Sequence, residues 1–175
     1  MDEGRTCIGV FLDIQGAFDT IDPKYIKTEL NKHTDDKDLV NWYYNYITQR
    51  NLTTEIGDYT GTISIDTGFP QGGVCSAKFW SIAFNKAIEI VNEWGIIGQG
   101  LADDLCIIKA GKDLNHITNT LQLVLKRLEK WGQNCNLKFS PEKSVAMLFN
   151  KKGRNIARKL KLQSRRIGGV WWRTL

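Results

Sequence analysis

The hydrophobic residues of this chain follow two spacings, which predict alternating strands and helices. Short apolar runs such as "CIGVFLDI" (7–14) are typical of strands buried in a sheet. Other stretches repeat apolar residues every three or four positions, which indicates amphipathic helices. The clearest helix, "KDLNHITNTLQLVLKRLEKWGQN", carries its apolar face on Leu114, Ile117, Leu121, Val124, Leu125 and Leu128.

The order of these elements predicts the fold class. Further helices are expected in "DPKYIKTELNK", "DKDLVNWYYNYITQR" and "AKFWSIAFNKAIEIVNEW". The first begins well, since Asp22 can cap it and Pro23 suits the first helical position. Strand pairs are expected in "NLTTEIG" with "GTISIDTG", in "GIIGQGLA" with "LCIIKAG", and in "LKFSPEKSVAMLF". The sequence therefore predicts an α+β fold, an antiparallel sheet covered on one face by helices.

Composition narrows the class of protein. A chain of 175 residues, 42% of them hydrophobic, is large enough for one core and a small annex at most. It contains no run of about 18 uncharged apolar residues, and "MDEGRTC" carries acids where a signal peptide carries bases. We therefore expect neither a membrane span nor secretion. The four cysteines are too widely spaced for a zinc motif or a disulfide framework, so reduced thiols are expected.

The positive net charge is concentrated at the C-terminal end. Nine of the 24 Lys and Arg residues and none of the 19 acids lie in residues 151–175. Residues 1–150 consequently hold 15 basic and 19 acidic residues and are mildly acidic. Two interpretations of the basic segment remain open: a strap that binds a nucleic-acid backbone, or a solvated terminus.

Three aspartates are candidates for a common site. Asp13 ends the strand "VFLD", and Asp103 and Asp104 fall in the turn of a hairpin. We expect all three at one edge of the sheet, where they would form an oxygen site suited to Mg²⁺ or Mn²⁺. Two such ions are the usual device for in-line phosphoryl transfer. The alternative is that Asp-Asp is an ordinary turn dipeptide.

Four segments occur in an order that is found in a known family. They are "VFLDIQGAFDTID", "GFPQGGVCSAKFWSIAFN", "LADDLCIIKAG" and "LKFSPEKSVAMLF". From about Val10 to Phe149 this series resembles the four central motifs of the reverse transcriptase palm, most closely in retrotransposons that lack long terminal repeats. The resemblance implies a polymerase palm over residues 1–150, followed at 151–175 by the start of a truncated connection to the thumb. It also implies RNA-directed DNA polymerase activity with two Mg²⁺ (or Mn²⁺) ions.

The resemblance assigns roles to the charged residues. Asp13, Asp103 and Asp104 correspond to the metal ligands, and Lys143 corresponds to the lysine that approaches the leaving pyrophosphate. A solvated turn residue is the alternative for Lys143. Leu101 departs from the family, which usually has an aromatic residue two places before the first aspartate of this motif.

The resemblance also assigns substrate contacts. Phe18 corresponds to the steric gate beneath the incoming sugar, with a plain core residue as the alternative. Asp19 is assigned to local hydrogen bonding rather than to metal. The loop expected to contact the nucleotide or template, which alone would be a mere turn, consists of Pro70, Gln71, Gly72 and Gly73.

The partners implied are an RNA template, a DNA primer and deoxynucleoside triphosphates (dNTPs). Only twelve residues precede Asp13, and the chain stops at "VWWRTL". We therefore expect fingers, thumb and endonuclease parts to belong to a larger polyprotein. Action on a nicked DNA target would place the protein in the nucleus. The alternative is a catalytically inert retroelement remnant that at most binds nucleic acid through its basic tail.

Overall fold

Strands and helices alternate along the chain in the order that the hydrophobic spacing predicts. The computed structural model describes residues 5–149 and the backbone of Trp171 and Trp172. In chain order the elements are β1 (Thr6–Gln15), α1 (Ala17–Thr20), α2 (Pro23–His33), α3 (Lys37–Thr48), β2 (Arg50–Ile56), β3 (Tyr59–Ile65), α4 (Ser76–Asn92), β4 (Ile97–Leu101), β5 (Asp104–Gly111), α5 (Leu114–Asn134), β6 (Lys138–Phe139), β7 (Val145–Phe149) and β8 (Trp171–Trp172).

These elements form two compact units. Within the described residues, unit 1 comprises residues 5–15, 85–133, 138–149 and 171–172, and unit 2 comprises residues 16–84 and 134–137. Unit 1 holds the main sheet, all but the last residue of α5 and the second part of α4, whereas unit 2 holds α1 to α3, the first part of α4 and the β2–β3 hairpin.

Unit 1 is built on a sheet in which the strands lie in the order β4, β5, β1, β7 and β8. The neighbouring pairs are antiparallel except β7 with β8, which are parallel. The short strand β6 pairs with the end of β1. The two strands expected in "LKFSPEKSVAMLF" therefore both pair with β1, at different points along it.

One face of the sheet of unit 1 is covered by helices. Ile8, Val10, Leu12 and Ile14 alternate along β1 and are all buried. On β4, Gly98 has no room for a side chain, because a Cβ there would lie 2.8 Å from Val91 of α4. The apolar face of α5 is buried as well. The predicted α+β architecture, with an antiparallel sheet and helices on one face, is confirmed.

Unit 2 contains α1 to α3, the hairpin and the part of α4 that ends at Phe84. Asp22 caps α2 as predicted, since its Oδ1 accepts a hydrogen bond of 2.8 Å from the backbone N of Lys24. The core of α2 and α3 includes Ile26, Tyr43 and Ile47, each at most 1% exposed. The hairpin strands β2 and β3 pair with each other, and their side chains are almost all exposed.

Three further predictions concern membrane-spanning helices, the cysteines and the basic C-terminal segment. Among the described residues, no helix is both long and apolar enough to cross a membrane. All four cysteines are free thiols. The basic C-terminal segment falls almost entirely outside the described residues, so the boundary between palm and tail at residue 150 stays a prediction.

Candidate active site

Asp13 and Asp104 lie opposite each other on neighbouring strands of unit 1. The antiparallel register of β1 and β5 pairs Asp13 with Asp104 and, one step earlier, the buried Leu12 with the buried Leu105. Side chains alternate along a strand, so Asp13 lies on the face opposite to Leu12. Directly opposed residues of antiparallel strands have Cβ atoms about 4.5–5.5 Å apart. The fold therefore brings two of the three predicted ligands together.

The Asp13 carboxylate is largely buried and forms an ion pair with Lys143. Its side chain is 19% exposed, and Oδ1 lies 3.6 Å from Nζ of Lys143. Oδ2 is buried and has no hydrogen-bond partner in the described part of the chain. The backbone of Asp13 is fixed by Ser144, whose Oγ accepts from the Asp13 amide, and by Ser140, whose amide donates to the Asp13 carbonyl. Lys143 thus reaches the carboxylate of one of the three predicted metal ligands.

The turn between β4 and β5 consists of Ala102 and Asp103. Leu101 pairs with Asp104, which leaves just two residues in the loop. Ala102 has a φ of 54°, a left-handed conformation that costs a residue with a Cβ about 1–2 kcal/mol. Two-residue hairpin loops demand such a φ, and glycine is its usual occupant. Asp103 sits in the loop itself, outside the ladder that aligns Asp13 with Asp104. The expectation that Asp104 also lies in the turn was wrong, because Asp104 is the first residue of β5. The expectation that Asp13 ends its strand was wrong as well, because β1 continues to Gln15, where it pairs with β6.

The donor chemistry of the opposed Asp13 and Asp104 fits a hard divalent cation. Paired carboxylates repel each other and gain by sharing a cation, and the buried Oδ2 of Asp13 is an oxygen in need of a partner. Among residues 5–149, no group of three or more His, Cys, Asp or Glu side chains is placed to hold a metal ion. The triad of Asp13, Asp103 and Asp104 as metal ligands stays a prediction.

The "PQGG" loop belongs to unit 2 and is folded tightly onto the start of α4. The Pro70 carbonyl accepts hydrogen bonds from the Gly73 amide (3.0 Å) and from Ser76 Oγ (2.8 Å). Ser76 is the first residue of α4, and its hydroxyl donates its hydrogen bond to this loop. A Cβ at Gly73 would lie 2.6 Å from Ser76 Oγ and 2.8 Å from the hydroxyl of Tyr46. A side chain at position 73 would therefore clash with its neighbours. At position 72 a side chain would have room, but the φ of 79° is one that residues other than glycine rarely adopt.

Gln71 and Asp19 are joined by a hydrogen bond. Nε2 of the exposed Gln71 donates to Oδ1 of Asp19 at 2.9 Å. The Asp19 side chain therefore makes a hydrogen bond, but to a residue 52 positions away in sequence rather than a local one. Its assignment to hydrogen bonding instead of metal stays a prediction.

At Gly68, the backbone of the segment that carries Gln71 lies in close contact with the backbone of the segment that carries Phe18. It is buried with a φ of 67°, and a Cβ there would lie 2.4 Å from the Phe18 carbonyl oxygen. The next amide, of Phe69, donates to that same carbonyl. Sequence reasoning missed Gly68, for which the sole local signal is its position just before "FPQGG".

Arg50 is a second residue that the sequence analysis missed. Its guanidinium donates to three backbone carbonyls: that of Ile47 at 3.0 Å, that of Thr67, and that of Gly68 at 3.1 Å. These bonds tie the end of α3 and the start of β2 to the loop that precedes Phe69. A lone arginine after a helix gives no sign in sequence of such a role.

Phe18 lies within an aromatic cluster of unit 2. Its ring stacks on Trp80, with centroids 5.4 Å apart, and meets Phe69 edge-on at 5.9 Å. The side chain is half-buried. The ring is thus held in a fixed position, which a steric gate requires and which a plain core residue would also show.

Comparison with known proteins identifies the family. Residues 1–168 match the family model described as "Reverse transcriptase (RNA-dependent DNA polymerase)". The chain belongs to the reverse transcriptase family.

Two curated relatives of this reverse transcriptase chain come from mobile elements of insects. The chain is 26% identical over 156 residues to the RNA-directed DNA polymerase from mobile element jockey of Drosophila melanogaster, a match that covers 85% of the chain and 17% of the relative. It is 26% identical over 85 residues to a retrovirus-related Pol polyprotein from a type-1 retrotransposable element R1 of Nasonia vitripennis, covering 49% of the chain and 21% of the relative. The chain thus spans about a fifth of the length of these proteins.

Solved structures of telomerase share the fold. Telomerase from Candida tropicalis, in complex with the TWJ fragment of telomeric RNA, matches with a TM-score of 0.69 and 12% identity over 83% of the chain and 26% of the telomerase. The apo form matches with a TM-score of 0.66 and 14% identity over 85% of the chain and 29% of the telomerase. These likenesses agree with the palm architecture predicted from the motif series.

Proposed function

We propose that this chain is the palm of an RNA-directed DNA polymerase, which adds deoxynucleotides to the 3′-hydroxyl of a primer. The observation that carries the proposal is the direct opposition of Asp13 and Asp104 across β1 and β5, in a chain of the reverse transcriptase family. An opposed pair of carboxylates is costly to a sheet unless something compensates the repulsion. Lys143 supplies part of the compensating positive charge, and a bound divalent cation would supply the rest.

The reaction is nucleotidyl transfer. The primer 3′-oxygen forms a bond to the α-phosphorus of a dNTP, the bond from that phosphorus to the oxygen of the pyrophosphate breaks, and the hydroxyl proton passes to water. Two Mg²⁺ or Mn²⁺ ions, when bound by Asp13, Asp103 and Asp104, would stabilise the negative charge on the attacking and leaving oxygens. Lys143 supplies positive charge, or a proton, to the departing pyrophosphate. Its position 3.6 Å from Asp13 supports that role.

Phe18 and the loop from Pro70 to Gly73 provide the substrate contacts in this proposal. Phe18 limits the space at the sugar of the incoming nucleotide, so that a 2′-hydroxyl is excluded. Its support is the stacking on Trp80, which gives the ring little freedom to move aside. The loop from Pro70 to Gly73 contacts the nucleotide or the template, and Gln71 provides its polar side chain.

The partners proposed are an RNA template, a DNA primer and dNTPs. The jockey relative is named as an RNA-directed DNA polymerase, and one telomerase was solved with an RNA fragment. Because the chain spans 17% of the jockey protein, we further propose that fingers, thumb and endonuclease parts act together with it.

The proposal can be tested in a chimaera in which this chain replaces the matched segment of the jockey protein. Primer extension on a primed RNA template is expected with Mg²⁺ or Mn²⁺ and is abolished by a chelator. Asp13→Asn and Asp104→Asn should each lower the rate about 100-fold or more, since each removes a charge that binds the cation. Asp58→Asn, in the exposed turn of the β2–β3 hairpin, makes the same charge change and should leave the rate unaltered. Extension that survives both aspartate substitutions would refute the proposed site.

A second candidate function rests on the basic segment at 151–175, with nine basic residues and no acid. We propose, as the alternative, an inert remnant that binds nucleic acid through this segment. It predicts that binding of a single-stranded RNA oligonucleotide weakens steeply as salt rises and persists in Asp103→Asn. Binding lost upon that one substitution would count against the alternative.

A further inference from the structure

The hydrogen bond between Asp19 and Gln71 has a consequence for what the "PQGG" loop can recognise. We propose that Asp19 is a positioning residue that fixes the amide of Gln71 with its oxygen, Oε1, directed outward as an acceptor. The loop would then select a neutral hydrogen-bond donor on the substrate, such as a sugar hydroxyl or a base amino group, over a phosphate. This inference rests on the proposed function of the loop in binding nucleotide or template.

The orientation of the amide follows from the chemistry of the pair. An ionised carboxylate only accepts hydrogen bonds, whereas a glutamine amide has a donating and an accepting end. A contact of 2.9 Å between Gln71 and the Asp19 carboxylate can therefore be made by the NH₂ group and not by Oε1. With an Asn at position 19, either end of the amide could face it.

Backbone contacts keep the two side chains at this separation. The Gly68 amide donates to the Ile21 carbonyl at 3.0 Å, and the Phe69 amide donates to the Phe18 carbonyl. These bonds flank Asp19 on both sides. The loop that carries Gln71 is further closed by the bond from the Gly73 amide to the Pro70 carbonyl. The amide of Gln71 is thus bonded to a segment of unit 2 whose backbone is itself hydrogen-bonded on both sides of Asp19.

The charge of Asp19 determines the class of ligand. A carboxylate bonded directly to Gln71 disfavours a phosphate in the same place, because like charges repel. Gln71 is exposed, and in the described part of the chain Oε1 accepts no hydrogen bond. The outward group is consequently an acceptor next to a negative charge, which suits an uncharged donor.

The orientation can be tested on the chain itself, without activity. Nuclear magnetic resonance would follow the side-chain amide of Gln71, assigned by its disappearance in Gln71→Ala. In the unaltered chain we expect one amide proton to be shifted downfield and protected from exchange with solvent. Asp19→Ala should remove both effects, and Asp58→Asn should change neither. An amide that resembles a free glutamine, or that ignores Asp19→Ala, would overturn the inference.

The consequence for recognition can be tested in the jockey chimaera. Asp19→Asn should raise the KM for the dNTP or the template about tenfold, with a smaller change in kcat, because one charge-assisted hydrogen bond no longer orients the amide. Adding Asp19→Asn to Gln71→Ala should have no further effect, since the two residues act as one unit. Additive losses, or an unchanged KM, would overturn the inference. A chimaera that is inactive while the amide signature is present would refute the proposed function and leave the role of Asp19 intact.

Discussion

Replacing Gly68 by alanine should be among the most destabilising single-methyl additions in unit 2. Gly68 has a φ of 67°, and a Cβ there would lie 2.4 Å from the carbonyl oxygen of Phe18 and 2.5 Å from that of Asp19. Contacts below 3.0 Å are essentially never seen for real Cβ atoms. Since both opposing atoms are backbone, no side chain can rotate away, and the two segments must separate.

The magnitude has two parts. Alanine in a left-handed conformation costs about 1–2 kcal/mol relative to its ordinary conformations. Separating the segments also weakens the bonds from Gly68 to Ile21 and from Phe69 to Phe18. A backbone hydrogen bond contributes about 0.5–1.5 kcal/mol net, and more if its groups stay buried without a partner. We expect a total loss of about 3 kcal/mol in the free energy of unfolding, about 2 of which come from the clash.

The matched control is Gly57→Ala in the turn of the β2–β3 hairpin. Gly57 has a φ of 60° and no atom within 4 Å of a Cβ, so this variant carries the conformational cost without the clash. Urea unfolding of both variants, followed by circular dichroism, gives the difference directly. If Gly68→Ala were no more destabilising than Gly57→Ala, the tight junction between the Phe18 and Gln71 segments would be disproved.

Three further predictions concern buried or strained groups. Ala102→Gly should raise the free energy of unfolding by up to about 1 kcal/mol, because glycine adopts its φ of 54° without strain; a loss of stability in urea would contradict this. Tyr43→Phe should be neutral or stabilising by up to about 1 kcal/mol, since the buried hydroxyl has no hydrogen-bond partner among the described residues; a clear loss in thermal unfolding would point to a partner. Burial raises the pKa of the Cys135 thiol to about 12. The unfolded chain therefore loses this proton at lower pH than the folded chain. The free energy of unfolding should fall by about 1.4 kcal/mol per pH unit as the pH rises above the ordinary thiol pKa. Urea unfolding at several pH values checks this, and a Cys135→Ala variant whose free energy of unfolding falls just as steeply with pH would show that another group is responsible.

The local elements of the fold were predictable because their causes are local. The apolar spacing of α5, the cap Asp22 with Pro23, and the turn around Asp103 each depend on residues a few positions apart. The alternation in β1 likewise indicates that Asp13 lies opposite to the buried face. The motif series indicated the family, which the match over residues 1–168 confirms.

The pairing of strands was decided by the tertiary structure. Alternation fixes the face of Asp13 but not its partner strand or its register. A shift of one residue in one direction would place Asp13 opposite the buried Leu105. The structure aligns it with Asp104 because Leu12 and Leu105, the adjacent pair, must both be buried. The third aspartate of the predicted triad, Asp103, lies in the turn, where this ladder does not fix it.

The frame around Gln71 shows most clearly what sequence could not reveal. Sequence determined the residue types: an acid after Phe18, a glycine before "FPQGG" and an arginine after α3. Tertiary structure decided that Asp19 bonds Gln71, that Gly68 meets the Phe18 carbonyl, and that Arg50 holds the Thr67 and Gly68 carbonyls. Such contacts depend on distances between segments that are remote along the chain. They leave no periodic pattern, because a hydrogen bond or a close approach requires one residue at one place rather than a repeat.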